Sequence, residues 1–139
     1  MLAWGRLRGA VVVLDHLEPL TTLDAFAARM GDGGTWTGGF DLPFGLPREL
    51  VAQLGWPQQW EACMRHYAAL DRASIRATFA AFCDARPAGA KFAHRACDVP
   101  AGSSPSMKWV NPPVAYMLHA GVTRLLDAGL VLPGLCPLN

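Results

Sequence analysis

The chain of 139 residues is long enough to bury the core of one domain, and its net charge of +1 is too small to indicate a nucleic-acid-binding protein by itself. Charged residues make up only 17% of the sequence, below the roughly 25% of a typical soluble domain. No apolar run approaches the ~20 residues of a membrane-spanning helix, and the N-terminus lacks a signal-peptide pattern. We therefore expect a cytoplasmic protein without a membrane partner. Its low charge favours first a piece of a larger domain and second a homo-oligomer.

The first half of the chain predicts a hairpin, a helix and a third strand. Residues 1–7 and 10–18 are predicted as two strands joined at Arg8-Gly9, because an apolar, β-branched run follows a glycine turn. The run from Thr21 to Asp24 resembles a capping box and predicts a helix that ends near Met30. Residues 35–41 are predicted as the next strand.

The second half predicts helices separated by one long loop. Pro47 is placed to begin a helix that ends near Gly55. Periodic apolar residues predict further helices at 58–70 and 71–85, and Pro112-Pro113 starts a last helix that ends at Gly129. Residues 86–111 are irregular, and a loop of this length in a compact domain is usually functional or mobile. The order of elements predicts an α/β or α+β fold.

The cysteines are scattered without C-x-x-C spacing, which argues against a zinc site or a disulfide framework. Reduced thiols in or near the core are expected at Cys63, Cys83, Cys97 and Cys136. The basic residues are unevenly spread. Residues 65–139 carry eight basic and four acidic side chains, and seven of those eight lie between Arg65 and Lys108.

One motif points specifically to chemistry. Asp41 ends the predicted strand 35–41, and a loop with two prolines and a glycine follows it. An acid held at the end of a strand is how α/β folds present a carboxylate to a metal or a substrate. The alternative is an aspartate that only braces a turn by accepting backbone hydrogen bonds.

The block Phe40–Arg48 (F-D-L-P-F-G-L-P-R) resembles the most recognisable motif of a bacterial family known as domain of unknown function 429. The stretch from Lys91 to Pro113 is also similar to that family, whose members are described as predicted RNase H-like nucleases. The resemblance implies a single α/β domain over residues 1–139, with an RNase H-like mixed sheet and helices. It further implies an incomplete domain that lacks the first strand and the C-terminal part of the family's fold.

The resemblance also implies metal-dependent phosphodiester hydrolysis with Mg²⁺ or Mn²⁺, in which Asp41 is a catalytic residue and metal ligand. Two hard cations need several carboxylates, and the sequence positions only one. We therefore expect weak or no activity from this chain.

A group of residues in the long loop is a candidate phosphate-binding surface for nucleic acid, with an aromatic ring that stacks on a base. Its members are Lys91, His94, Arg95, Lys108 and Trp109. The alternative is an ordinary solvated loop with Trp109 in the core. Two other functions stay open: a non-catalytic interaction module, and a small-molecule enzyme that uses the Asp41 loop and the 86–111 loop as a pocket.

Overall fold

The computed structural model describes residues 1–135, and within them it has a mixed α/β architecture of two antiparallel strands and six helices. In chain order the elements are β1 (Leu2–Arg8), β2 (Val11–Glu18), α1 (Leu23–Met30), α2 (Arg48–Gln53), α3 (Trp60–Ala68), α4 (Arg72–Asp84), α5 (Asp98–Ala101) and α6 (Val114–Asp127). Two compact units divide the chain: Met1–Trp36 forms the first, and the second begins at Thr37. Among the helices of this described part, none has the length and apolar character needed to cross a membrane.

The predicted hairpin is confirmed, with strand bounds that differ by about one residue. β1 and β2 pair antiparallel, and Gly9 closes the turn with a φ of 61° that favours glycine. A bulge interrupts the pairing between Trp4 and Gly5. Beside it, the guanidinium of Arg6 donates hydrogen bonds to the carboxylate of Asp15.

Helix α1 is also confirmed, but its cap is the side chain of Thr22, one residue later than the predicted capping box places it. The Oγ1 of Thr22 accepts a hydrogen bond from the backbone N–H of Ala25 at 3.1 Å, which satisfies one of the free donors in the first turn. The helix ends at Met30, and Gly31 follows it as the C-cap.

The predicted strand 35–41 is wrong: this segment is irregular. Glycines at 33, 34, 38 and 39 raise the entropic cost of an extended conformation. A strand also needs a partner, and within residues 1–135 the sheet contains only β1 and β2, which pair with each other. Asp41 consequently lies in a loop instead of at a strand end.

The core of the second unit lies between α3, α4 and α6. Tyr67 of α3 is fully buried and its hydroxyl donates a hydrogen bond to the carbonyl of Ala115 in α6, at 2.7 Å. The same ring stacks on Phe79 of α4, with ring centroids 6.0 Å apart. The ring of His119 in α6 meets the Tyr67 ring edge-on, with centroids 5.5 Å apart, and its Nε2 lies 2.7 Å from the carbonyl oxygen of Leu70.

The helices predicted in the second half are confirmed, and the structure adds the short helix α5 inside the predicted loop 86–111. Asp71 caps α4, since its Oδ1 accepts the backbone N–H of Ser74 at 2.6 Å. Cys63 and Cys83 are free buried thiols, as expected, whereas Cys97 is free and exposed. Cys136 lies outside the described residues.

Candidate nucleic-acid interface

The loop that follows Asp41 packs onto the helices of the second unit. Leu42 lies against Gly121 of α6, so closely that a Cβ on Gly121 would stand 2.7 Å from the Leu42 Cδ2. Pro43 and Pro47 are buried, and Pro47 is the N-cap of α2. The indole N–H of Trp60 donates a hydrogen bond to the carbonyl of Phe44. These contacts give the prolines of the motif a structural role.

Asp41 itself is exposed, and among residues 1–135 its carboxylate has no hydrogen-bond or ion-pair partner. The described part of the chain also contains no group of three or more His, Cys, Asp or Glu side chains that could hold a metal ion. Mg²⁺ and Mn²⁺ prefer several oxygen ligands, with carboxylates among them. The residues that the structure describes therefore do not fit a two-metal centre, and Asp41 stands as one carboxylate at the edge of the packed loop.

Contacts within the 91–109 segment close it into a loop whose two ends lie together. The rings of Phe92 and Trp109 pack with centroids 5.7 Å apart. Further inside the segment, the backbone N–H of Ala93 donates to the sulfur of Met107 at 3.3 Å, and both residues are buried. Lys91 and Lys108 are the sequence neighbours of these rings. The contacts therefore bring the backbones of the two lysines near each other, where the ends of the loop meet.

Trp109 is half-buried and packs against the core of the second unit. This is the environment that the core interpretation of Trp109 predicted. Part of the indole remains at the surface, so a packing role and a contact with a ligand are compatible for this ring.

Arg95 lies inside the loop and is bound to a buried carboxylate. Its Nε and Nη2 approach the Asp98 Oδ1 at 2.9 and 2.6 Å, and its backbone N–H donates to the Oδ2 at 2.8 Å. The hydroxyl of Ser103 lies 3.2 Å from the same Oδ1. Asp98 is completely buried, so Arg95 neutralises it and its guanidinium is held in the loop.

The pKa of the Asp98 carboxyl reflects two opposing effects. Burial raises this pKa, and the hydrogen bonds and positive charge of Arg95, helped by Ser103, lower it by more, so the net shift is downward. The sequence carries a short-range signal for this pair, because Arg95 and Asp98 are three residues apart. The pair escapes prediction because it forms across the turn that precedes α5, where the backbone N–H of Asp98 donates to the carbonyl of Arg95 at 3.0 Å, and the pattern predicts neither this turn nor α5.

The remaining predicted site residues differ in ion pairing and in the exposure of their side chains. The Lys91 Nζ lies 3.7 Å from the Asp84 Oδ1, and both side chains are at least half exposed, so solvent weakens this pair. His94 is exposed and Lys108 is half-buried. Lys91, His94 and Lys108 therefore remain accessible around the closed loop, whereas Arg95 supports it from inside.

Comparison of the chain with protein-family models, with curated proteins and with solved structures finds no match.

Proposed function

We propose that this chain is an RNase H-like domain that binds the phosphate backbone of nucleic acid through its 91–109 loop and has weak or no hydrolytic activity of its own. The observation that carries the proposal is the closure of the loop by the Phe92–Trp109 contact. This contact brings together the two ends of the loop, which carry Lys91 and Lys108, 17 positions apart in the sequence. Cations beside a partly exposed aromatic ring are the combination used by proteins that bind single-stranded nucleic acid.

The Arg95–Asp98 pair supports this proposal in an indirect way. Without Asp98 the loop would carry one more free cation, but it would lose the buried anchor that holds residues 95–103 in place. We assign Arg95 as a positioning residue that fixes the loop on which His94 lies. Lys91 and Lys108 are then the residues that contact phosphate.

The resemblance to the predicted RNase H-like nucleases implies metal-dependent hydrolysis, and we carry only part of that chemistry over to this chain. In such enzymes divalent cations activate water and stabilise the leaving oxygen. Asp41 is an exposed carboxylate, and the described residues contain no group of three or more His, Cys, Asp or Glu side chains around it or elsewhere. We therefore propose Asp41 as a residual catalytic or metal-ligating position, and we assign no step of a reaction to Mg²⁺ or Mn²⁺.

Binding is tested by fluorescence anisotropy with a labelled single-stranded oligonucleotide over a series of salt concentrations. For single strands the salt slope falls by about 0.7 for each phosphate that the protein no longer neutralises, so Lys91→Gln/Lys108→Gln is expected to lower it by roughly 1.4. Arg6→Gln/Arg65→Gln is the matched control, because it removes the same number of charges at two arginines whose carboxylate partners lie at 2.8 to 3.2 Å, closer than the 3.7 Å between Lys91 and Asp84. Absence of binding by the unmodified chain at low salt would refute the proposal, and so would equal slopes for the lysine variant and the control.

Hydrolysis is tested separately by incubating the chain with Mg²⁺ or Mn²⁺ and structured nucleic acids. We expect little cleavage. Robust cleavage that disappears in Asp41→Asn and persists in Asp127→Asn would overturn this expectation. Asp127 is a suitable control because it is an exposed aspartate at the end of α6.

A second candidate function, an interaction module, is favoured by the hairpin. The register places Leu7 opposite Val12, and the adjacent positions on the same face carry Leu14 and Leu17. These four side chains are exposed by 73%, 74%, 59% and 54%. A contiguous apolar face of this kind commonly marks an interaction surface.

Light scattering after size exclusion tests the second candidate. Self-association that is abolished by Val12→Thr/Leu14→Thr would support it, since threonine keeps the strand preference and removes apolar area. A monomer at high concentration would count against association between copies of this chain.

A further inference from the structure

The basic segment from Arg65 to Lys108 contains both paired and unpaired cations. Four of its seven basic side chains have a carboxylate within ion-pair distance: Arg65, Arg86, Lys91 and Arg95. The other three have none within the described residues: Arg72, Arg76 and Lys108. Unpaired cations can accept a phosphate without first giving up a protein carboxylate. Two of these three lie outside the loop that the sequence singled out.

A chain of contacts joins Lys108 to Arg72. The carbonyl of Lys108 accepts the backbone N–H of Ala115 at 2.9 Å, at the start of α6. The next residue, Tyr116, donates its hydroxyl to the carbonyl of Arg72 at 3.4 Å. In return, the Arg72 guanidinium lies over the Tyr116 ring, with its Cζ 5.0 Å from the ring centroid. Arg76 follows one helical turn later on the same exposed face of α4.

We infer that Arg72, Arg76 and Tyr116 form a second subsite, the α4 subsite, which extends the surface of the 91–109 loop and binds single-stranded nucleic acid. This inference rests on the proposed function. The arginines bind phosphates, and the Arg72–Tyr116 pair offers a surface on which a base stacks. A phosphorylated small molecule would need only one end of this surface.

The position of the subsite along α4 favours an extended ligand. Lys91 lies beside Asp84 at the C-terminal end of α4, whereas Arg72 is its first residue. The 13 residues of α4 span roughly 20 Å at 1.5 Å per residue. Cations thus lie at both ends of α4, on its first two turns and beside its last residue, and this separation suits a ligand longer than one nucleotide.

One carboxylate lies next to the subsite in the sequence. Asp71 precedes Arg72, and its Oδ1 accepts the backbone N–H of Ser74. It serves as the N-cap of α4 and forms no ion pair with Arg72 among the described residues. The partial positive charge of the helix N-terminus further offsets its charge.

The test measures binding of a fluorescein-labelled, mixed-sequence single strand of about 20 nucleotides by anisotropy at several salt concentrations. Arg72→Gln/Arg76→Gln is compared with Arg6→Gln/Arg65→Gln, which removes the same charge at two residues that already have carboxylate partners. Removal of two cations that neutralise phosphates is expected to lower the salt slope by about 1.4 and the affinity by about tenfold at moderate salt, whereas the control stays near the unmodified chain.

Tyr116 variants and a competitor test the role of stacking. Tyr116→Phe is expected to bind like the unmodified chain because it keeps the ring, and Tyr116→Leu is expected to bind several-fold more weakly. Inorganic polyphosphate at equal phosphate concentration should compete poorly, since it offers no bases. Equal competition by polyphosphate would overturn the assignment to nucleic acid, and equal binding by Leu and Phe variants would overturn the role of the ring.

The outcomes separate this inference from the proposed function. If the unmodified chain binds and Lys91→Gln/Lys108→Gln weakens binding, but Arg72→Gln/Arg76→Gln behaves like its control, the α4 subsite is refuted and the loop surface is retained. If the unmodified chain does not bind the oligonucleotide at low salt, the proposed function is refuted, and the α4 subsite with it.

Discussion

Replacement of Asp98 by asparagine tests whether the buried Arg95–Asp98 pair holds the 91–109 loop. Asparagine has nearly the same shape as aspartate, and its carbonyl oxygen can still accept one hydrogen bond. It cannot neutralise the Arg95 guanidinium, and its NH₂ group would face donors from Arg95 and Ser103, which lie around the carboxylate. The substitution therefore removes the charge and part of the hydrogen bonding without opening a cavity.

The structure indicates the size of the effect. Removing one partner of a buried ion pair costs about 3–5 kcal/mol. Asp98 is completely buried, but the Arg95 side chain keeps 23% of its surface exposed, so water can restore part of its solvation. We therefore expect Asp98→Asn to lower the free energy of unfolding by about 2–3 kcal/mol, the low end of that range or slightly below it. For a unit of roughly 100 residues this corresponds to a fall of about 10 °C in the melting temperature.

Urea unfolding followed by tryptophan fluorescence measures this difference, and Asp127→Asn is the matched control. Asp127 also pairs with an arginine, Arg65, but both side chains are more than half exposed. The control is expected to leave the unfolding midpoint unchanged, because solvent screens exposed pairs. Equal midpoints for the two variants would refute the idea that Asp98 anchors the loop.

The pH dependence provides an independent check. Since the folded-state pKa of Asp98 lies below its ordinary value of 3.8, the ionised carboxylate stabilises the fold fully above that value. This contribution is lost as the pH falls through the lower, folded-state pKa. The difference in stability between the unmodified chain and Asp98→Asn should thus be constant between about pH 5 and 8 and shrink below about pH 4. A difference that does not change with pH would mean that the charge of Asp98 has no part in it.

Two glycines allow further predictions. Gly121→Ala should lower the free energy of unfolding by about 1 kcal/mol, because its methyl group displaces Leu42. In a Leu42→Ala background the same substitution should raise it by a similar amount, because alanine has the higher helix propensity. Equal effects in both backgrounds, measured by urea unfolding, would contradict the Leu42–Gly121 packing. Gly5→Ala should speed hydrogen exchange of the β1 and β2 amides at least tenfold, because its Cβ would stand 2.6 Å from the backbone carbonyl oxygen of Val13. Gly33→Ala is the control, since a Cβ there meets nothing within 4 Å, and similar exchange rates in the two variants would rule out the close approach at Gly5.

The elements predicted most accurately are those fixed by local signals. The glycine turn defines the hairpin, the hydroxyl of Thr22 defines the start of α1, and the carboxylate of Asp71 defines the start of α4. Each of these signals acts within a few residues, so their effect does not depend on the tertiary fold. The prediction for segment 35–41 is wrong because a strand depends on a partner, which its own sequence does not reveal.

The candidate site is predictable only in part for the same reason. Lys91 and Lys108 stand out in the composition of the segment, but their proximity depends on the Phe92–Trp109 contact, which links positions 17 residues apart. The engagement of Arg95 with Asp98 depends on a turn before the short helix α5, and the pattern predicts neither of them. The helical pattern places Arg72 on the exposed face of its helix, and only the tertiary contact with Tyr116 connects it to the loop.

The closed loop has a thermodynamic consequence for any ligand that binds to it. Ordering a flexible segment upon binding would subtract roughly 1–2 kcal/mol per residue of backbone from the affinity. Here the aromatic contact, the Ala93–Met107 hydrogen bond and the buried Asp98 order much of the segment when the chain folds. Binding of a ligand then removes little further backbone entropy, so a few cations suffice for measurable affinity. The heat-capacity change of binding should reflect only the surface buried between ligand and protein.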